Sequence, residues 1–187
     1  MKSLKKSAAV FILCTSLSLV NAQYEMKPVE GYSPQIGLMV YMLEDLKSRI
    51  TEEVKDLDQS QTDFIFDKDA NSIGSLIMHL VATEAYFQIE TLEGRQMTYK
   101  ERERLGTGGE MNAESKKILQ GKPIQHYLEL WDEVREKTLA GLKTKDDAWF
   151  ASGIDEGMNY HWAWYHVMEH SANHMGQIAL VKNRLAE

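Results

Sequence analysis

Apolar side chains recur at steps of three and four in four segments of this chain, and none of the four alternates as a strand would. The first opens at GYSPQIG, where Ser33 suits a helix N-cap and Pro34 the first turn. Ile36, Met39, Leu43, Leu46, Ile50, Val54 and Leu57 follow on one face and predict a helix from 34 to about 58. The second opens at DANSIG with Asn71 or Ser72 as cap, carries Ile73, Leu76, Leu80 and Phe87, and ends near Gly94. The third starts at GKPIQ with Pro123 in its first turn and presents Ile124, Tyr127, Trp131, Val134 and Leu142. The fourth runs from about Tyr160 to the C-terminus, with Ala163, Val167, His170, His174, Ile178, Val181 and Leu185 as its stripe.

Four amphipathic helices of about 20 residues predict an all-α protein, a four-helix bundle. Connections of roughly 13 to 17 residues join helices 1 to 2 and 3 to 4. The connection between helices 2 and 3, residues 95–122, is longer, carries TGGE and holds little apolar content. A short helix around Thr98 to Leu105 fits inside it. A connection that long can run the length of a bundle, so the expected topology is up-down-down-up, with this segment as the crossover.

The N-terminus changes the compartment. MKSLKK is a basic region, AAVFILCTSLSLV an apolar one, and Val20-Asn21-Ala22 a small-residue cleavage site. Residues 1–22 read as a secretory signal cut before Gln23, leaving a single domain over 23–187 that is exported, periplasmic or secreted, without a stable membrane anchor. Loss of Lys2, Lys5 and Lys6 takes the 21 basic side chains to 18 against 28 acidic ones, a formal charge of −10. That balance argues against a nucleic-acid partner, whose phosphates need a basic surface. The lone cysteine, Cys14, lies inside the signal. A mature chain without cysteine has no disulfide and no thiolate, so any transition metal must be held by His, Asp or Glu.

Three of the six histidines, His166, His170 and His174, fall at four-residue steps in HVMEHSANHMGQI. Residues i and i+4 of a helix lie about 40° apart and one turn up, so His170 and His174 can point at one atom. Both sit in the apolar stripe. Burying two imidazoles there costs free energy unless each nitrogen finds a partner. A shared divalent cation meets that need, and so would hydrogen bonds between two core histidines. A third ligand must come from another helix, and His79, at the edge of the apolar arc in GSLIMHLVATEAYF, is the best placed. Three neutral imidazoles would leave a dipositive metal with an open position, as in catalytic zinc sites. His166 lies about 12 Å from His174 along the axis and cannot share that ion; it reads as rim, neighbouring shell or substrate contact. Gln177, three residues past His174, could hydrogen-bond near the metal or make a plain bundle contact. Trp162, Trp164 and Tyr165, with Tyr86 and Phe87 on helix 2, could wall a pocket or simply fill the core. Glu84 and Glu169 point away from the expected ion, and His126 and His161 read as surface or helix-start residues.

The early helix-2 histidine in SIGSLIMHLVATEAYF and the HxxxH followed by GQI in EHSANHMGQI resemble the DinB-like (DinB/YfiT) superfamily of metal-dependent proteins. The resemblance covers about residues 34 to 185, though its specific part is confined to those two segments. It implies an up-down-down-up bundle, a divalent metal (zinc or nickel) on His79, His170 and His174, frequent homodimers, and for several relatives thiol S-transfer or isomerisation. Export departs from that pattern, since thiol-transfer chemistry relies on a reducing cytoplasm. Three functions follow: a metal-dependent enzyme acting on an unknown small molecule, by thiol S-transfer or by hydrolysis; a non-catalytic metal- or ligand-binding bundle linked to stress; or an interaction module with no metal. No carboxylate is clearly placed as a general base, which weakens the hydrolytic form.

Overall fold

The computed structural model describes residues 25–155 and 157–185; the expected signal segment, 1–22, lies outside them. The described chain is mainly helical, in the order α1 (Pro34–Val54), α2 (Gln59–Thr62), α3 (Ile73–Leu92), α4 (Tyr99–Leu105), a 3-10 turn (Gly106–Gly109), α5 (Ala113–Ile118), α6 (Ile124–Leu142) and α7 (Asp147–Ala151). A two-stranded hairpin, β1 (Gly153–Asp155) and β2 (Met158–Asn159), and α8 (Tyr160–Arg184) complete it. No helix among the described residues is long and apolar enough to cross a membrane.

The caps explain the boundaries. Ser72 Oγ accepts from Ser75 N at the head of α3, and Asn159 Oδ1 accepts from Trp162 N at the head of α8. Thr98 and Glu101 form a reciprocal capping box that starts α4, the short helix expected in the middle connection. The first helix stops earlier than its apolar periodicity predicts. Asp58 and Gln61 make a second capping box, which starts α2 and takes Leu57 out of α1. The hairpin before α8 has no apolar run to announce it. It forms around a turn in which Gly157 adopts φ +97°.

α3 lies between α6 and α8, α8 also packs on α1, and α6 reaches α1 more lightly. Contacts along the long helices give their relative positions. The α3 glycine Gly74 abuts Tyr127 near the start of α6, and Leu92 at the end of α3 meets Gly141 at the end of α6. Phe87, late in α3, touches His166, early in α8. At the other end of α8, Lys182 Nζ donates to the Glu53 carbonyl at the end of α1 (2.6 Å). The Asp147 carboxylate, just past α6, accepts from Ser33 Oγ (2.5 Å) and Gln35 N (3.1 Å) at the head of α1.

Two apolar clusters hold this arrangement. One joins α3 to α6 and the end of α8 through Leu76, Ile77, Tyr127, Trp131 and Ile178. The other joins α1, α7 and the start of α8 through Ile36, Leu43, Phe150 and Trp164. Each such side chain, nearly fully buried, contributes roughly 1.5–3 kcal/mol relative to exposure. α3 is buried nearly all round, which makes it the axis on which the candidate site is mounted.

Candidate metal centre

α3 and α8 bring His79, His170 and His174 to one point. The His170 Nε2 atom stands 3.1 Å from His79 Nε2 and 3.0 Å from His174 Nε2. One ligand atom from each ring falls within 4.8 Å of the other two, so the three histidines could hold a metal ion. Atoms bound to one ion at about 2.0–2.1 Å stand about 2.9–3.4 Å apart for bond angles between 90° and tetrahedral, and both measured separations fall in that range.

The hydrogen bonds around the rings decide which nitrogens are bare. His79 Nδ1 lies 2.9 Å from the Gly108 carbonyl, which can only accept. Nδ1 therefore carries the proton and Nε2 presents its lone pair. His174 Nδ1 lies 2.8 Å from Gln177 Oε1, with the same consequence. Two lone pairs thus face His170. The buried His170 Nδ1 has no partner among the described residues. If His170 is protonated on Nε2, one proton serves two acceptors and Nδ1 lacks a donor; if on Nδ1, three lone pairs meet. A cation at the meeting point satisfies all three Nε2 atoms, so the donor set fits a divalent metal.

Electrostatics point the same way. Burial pushes the His170 imidazole down to about 4, helped by the facing rings of His174, His79 and His166. His79 is also lowered by burial, against the Gly108 bond, which raises it. His174 is lowered chiefly by burial, against the pull of Gln177. All three are neutral near pH 7, the form that ligates metal.

The 3-10 turn is what aims His79. A Cβ on Gly108 would stand 2.4 Å from the Met78 carbonyl oxygen. Only glycine lets this turn lie against α3 closely enough for its carbonyl to reach the His79 ring. The sequence carries one signal for this, the paired glycines of TGGE within the long connection.

The other expected residues fall around the three imidazoles. Gln177 orients His174 as described. His166 stays outside the cluster, with Nδ1 2.9 Å from Glu169 Oε1. Its ring stacks on Trp162 at 5.4 Å and on His170 at 5.5 Å. A cavity of about 360 Å³ opens beside the cluster, and Ala82, Tyr86, Phe87, Met97 and His166 line it with His79 and His170. Tyr86 and Phe87 are therefore pocket residues, Trp164 is core, and Tyr165 is exposed. Glu84 turns away from the histidines and pairs with Arg135. His126 and His161 lie on the surface near the starts of α6 and α8.

These features define an all-α protein with three convergent neutral imidazoles able to hold a divalent cation. The chain belongs to the mycothiol-S-transferase family, a DinB-like family, whose sequence profile matches residues 38–187. A comparison with curated proteins found no match.

Proposed function

We propose that this protein is a metal-dependent thiol S-transferase that holds zinc or nickel on His79, His170 and His174. The observation that carries the reading is the convergence of the three Nε2 atoms, with two tautomers fixed by Gly108 and Gln177. The metal, when bound, would lower the pKa of a thiol toward neutrality and hold it as thiolate. The chain's own residues do the rest. Gly108 and Gln177 keep the imidazoles oriented, while Phe87, Met97 and Ala82 give the cavity an apolar wall that excludes water and receives an electrophile. In the transfer the thiol would give up its proton to solvent, its sulfur lone pair would form the new bond to carbon, and the leaving group would depart with the electron pair of the bond that breaks. No carboxylate lines this cavity among the described residues, which favours transfer to a thiol over activation of water. The family name supports a low-molecular-weight thiol as the sulfur nucleophile.

The same reading takes the long helices as an up-down-down-up bundle. It is supported by the pairing of like ends between α3 and α6 and between α1 and α8, and of opposite ends between α3 and α8. It also takes residues 1–22 as an export signal; mass spectrometry of the secreted or periplasmic protein should find Gln23 at the N-terminus, and an intact Met1 would refute it.

The test of the central claim is elemental analysis of chelator-free protein beside thiol–electrophile assays. Wild type should carry about one zinc or nickel per chain and His170→Ala should carry none. Undiminished metal in His170→Ala refutes the ligand set. Silence of the metal-loaded protein across a panel of thiols and alkyl or aryl electrophiles refutes the transferase.

A further inference from the structure

A second cavity of about 300 Å³ adjoins the one beside the histidines and shares Tyr86 and Met97 with it as a common wall. Glu90, Arg95, Gln96 and Arg102 make up the rest of its lining. The charges there are not alike. Arg95 is saturated: it donates to Glu93 Oε2 (2.7 Å) and, through two nitrogens, to Glu101 (2.7 Å each). Arg49, Arg104 and Arg135 each hold a carboxylate as well. Arg102 donates instead to the Met97 carbonyl (3.1 Å). Among the described residues no carboxylate comes within ion-pair distance of it. Glu90 likewise pairs with no cation there, and its neighbour is the Tyr86 phenol, which it raises above the ordinary pKa. One guanidinium and one carboxylate, the latter accepting from the Tyr86 phenol and neither held in an ion pair among the described residues, thus border a single cavity without bridging each other.

The wall that carries Arg102 is firmly built. The Thr98–Glu101 capping box fixes the head of α4, and Arg95 ties Glu101 back to Glu93 while donating to the Gln96 carbonyl. The Met97 carbonyl then fixes one edge of the Arg102 guanidinium. The remaining N–H groups are free for a planar carboxylate, the partner a guanidinium binds best.

We propose that this second cavity receives the α-amino-carboxylate end of the thiol substrate, its carboxylate on Arg102 and its ammonium on Glu90, while the sulfur lies at the histidines. The assignment rests on the thiol-transfer reading for the identity of the reacting atom, though not for the pocket itself. A purely anionic end, such as a phosphate, fits less well, because Glu90 would repel it. Length follows from α3: Tyr86 and Glu90 lie seven and eleven residues beyond His79, roughly 10 and 16 Å along the axis. The substrate therefore separates its sulfur from its zwitterionic end by about 10–15 Å, the reach of about three to four extended residues.

The test uses cobalt(II)-loaded full-length mature protein, with γ-glutamylcysteine as the amino-acid-ended thiol and 2-mercaptoethanol as the thiol without it. Wild type should bind γ-glutamylcysteine at least tenfold more tightly. Arg102→Gln and Glu90→Gln should each remove that preference, with cobalt content and 2-mercaptoethanol binding unchanged. N-Acetylation of the probe should make it indifferent to Glu90→Gln while leaving it sensitive to Arg102→Gln. Equal affinities for the two thiols in wild type, or a preference that survives both substitutions, overturns the proposal. Failure of the metal reading is seen separately, as absence of cobalt or of any thiolate-to-cobalt absorption. In that event, calorimetry with thiol-free γ-glutamylalanine still decides the pocket: weaker binding to both variants supports it, and no binding to wild type overturns it.

Discussion

α3 carries two polar clusters five residues apart, and they are built on opposite plans. At Glu84 every partner is present. The Arg135 guanidinium donates to both carboxylate oxygens (2.7 and 2.8 Å), and Trp131 Nε1 adds a third bond (2.9 Å). The remaining Arg135 nitrogen is taken by the Leu43 carbonyl and Glu44, each at 2.7 Å. At His79 the outer edges of two rings are satisfied, but the three inner nitrogens face one another and His170 Nδ1 has no partner among the described residues. A closed network has no use for a ligand; an open one of neutral nitrogens is short of one cation. The difference separates a cluster that ties α1, α3 and α6 together from one poised to bind.

The contrast can be broken most forcefully at Glu84. Glu84→Ala leaves the Arg135 cation buried without its main partner, which should cost about 3–5 kcal/mol of stability by urea denaturation. The double replacement Glu84→Leu with Arg135→Met should recover most of that loss, since a buried ion pair and an apolar pair of similar volume come close to balancing. In both proteins the folded fraction should retain its metal. If the Glu84 network instead belonged to the binding site, metal content would fall with it.

A smaller effect is expected at the turn that aims His79. Gly108→Ala drives a methyl group into the Met78 carbonyl, so the turn must back away and release the His79 ring. Metal affinity should fall by roughly 10–100-fold, the usual consequence of losing an outer partner of a ligating histidine. Gly109→Ala, whose added Cβ meets nothing within 4 Å, is the control and should leave affinity within about twofold. Competition with a chromogenic chelator measures both; equal losses in the two variants would mean that the Gly108 carbonyl does not position the ring.

The two clusters also differ in how far the sequence announced them. Periodicity placed the long helices because each buries one face, and the four-residue step of His170 and His174 was visible because a helix converts spacing directly into direction. His79 followed from its position on a mostly apolar segment. Partners supplied by distant backbone left no such trace. Nothing local in TGGE says which carbonyl will meet which ring, and Arg135 looks like any surface arginine on an amphipathic helix until α1 and α3 enclose it. The end of α1 was misplaced for a related reason: Leu57 kept the apolar rhythm, but the Asp58–Gln61 capping box begins a new helix and outweighs one periodic residue.

Acid should pull the clusters apart in the metal-free protein, with the smallest effect of the three. The His170 imidazole lies at about 4 in the fold, lowered by burial and by the rings of His174, His79 and His166, against an ordinary value near 6.5 in the unfolded chain. Below 6.5 the unfolded state therefore binds more protons than the native one. The stability this group contributes is complete above 6.5 and is lost as pH falls toward 4. With the ring only half-buried, solvent screening limits the loss to on the order of 1 kcal/mol. Glu84 acts lower on the scale. Burial alone would raise its pKa, but Arg135 and the hydrogen bonds to it outweigh burial and hold the carboxyl below its ordinary 4.5. Its contribution is intact above about 4.5 and disappears only in stronger acid. Urea denaturation between pH 7 and pH 3 should thus show a shallow decline through the histidine window, followed by a steeper one. His170→Gln should flatten the first and leave the second in place. A first decline that persists unchanged in His170→Gln would mean that His170 is not the group protonating there.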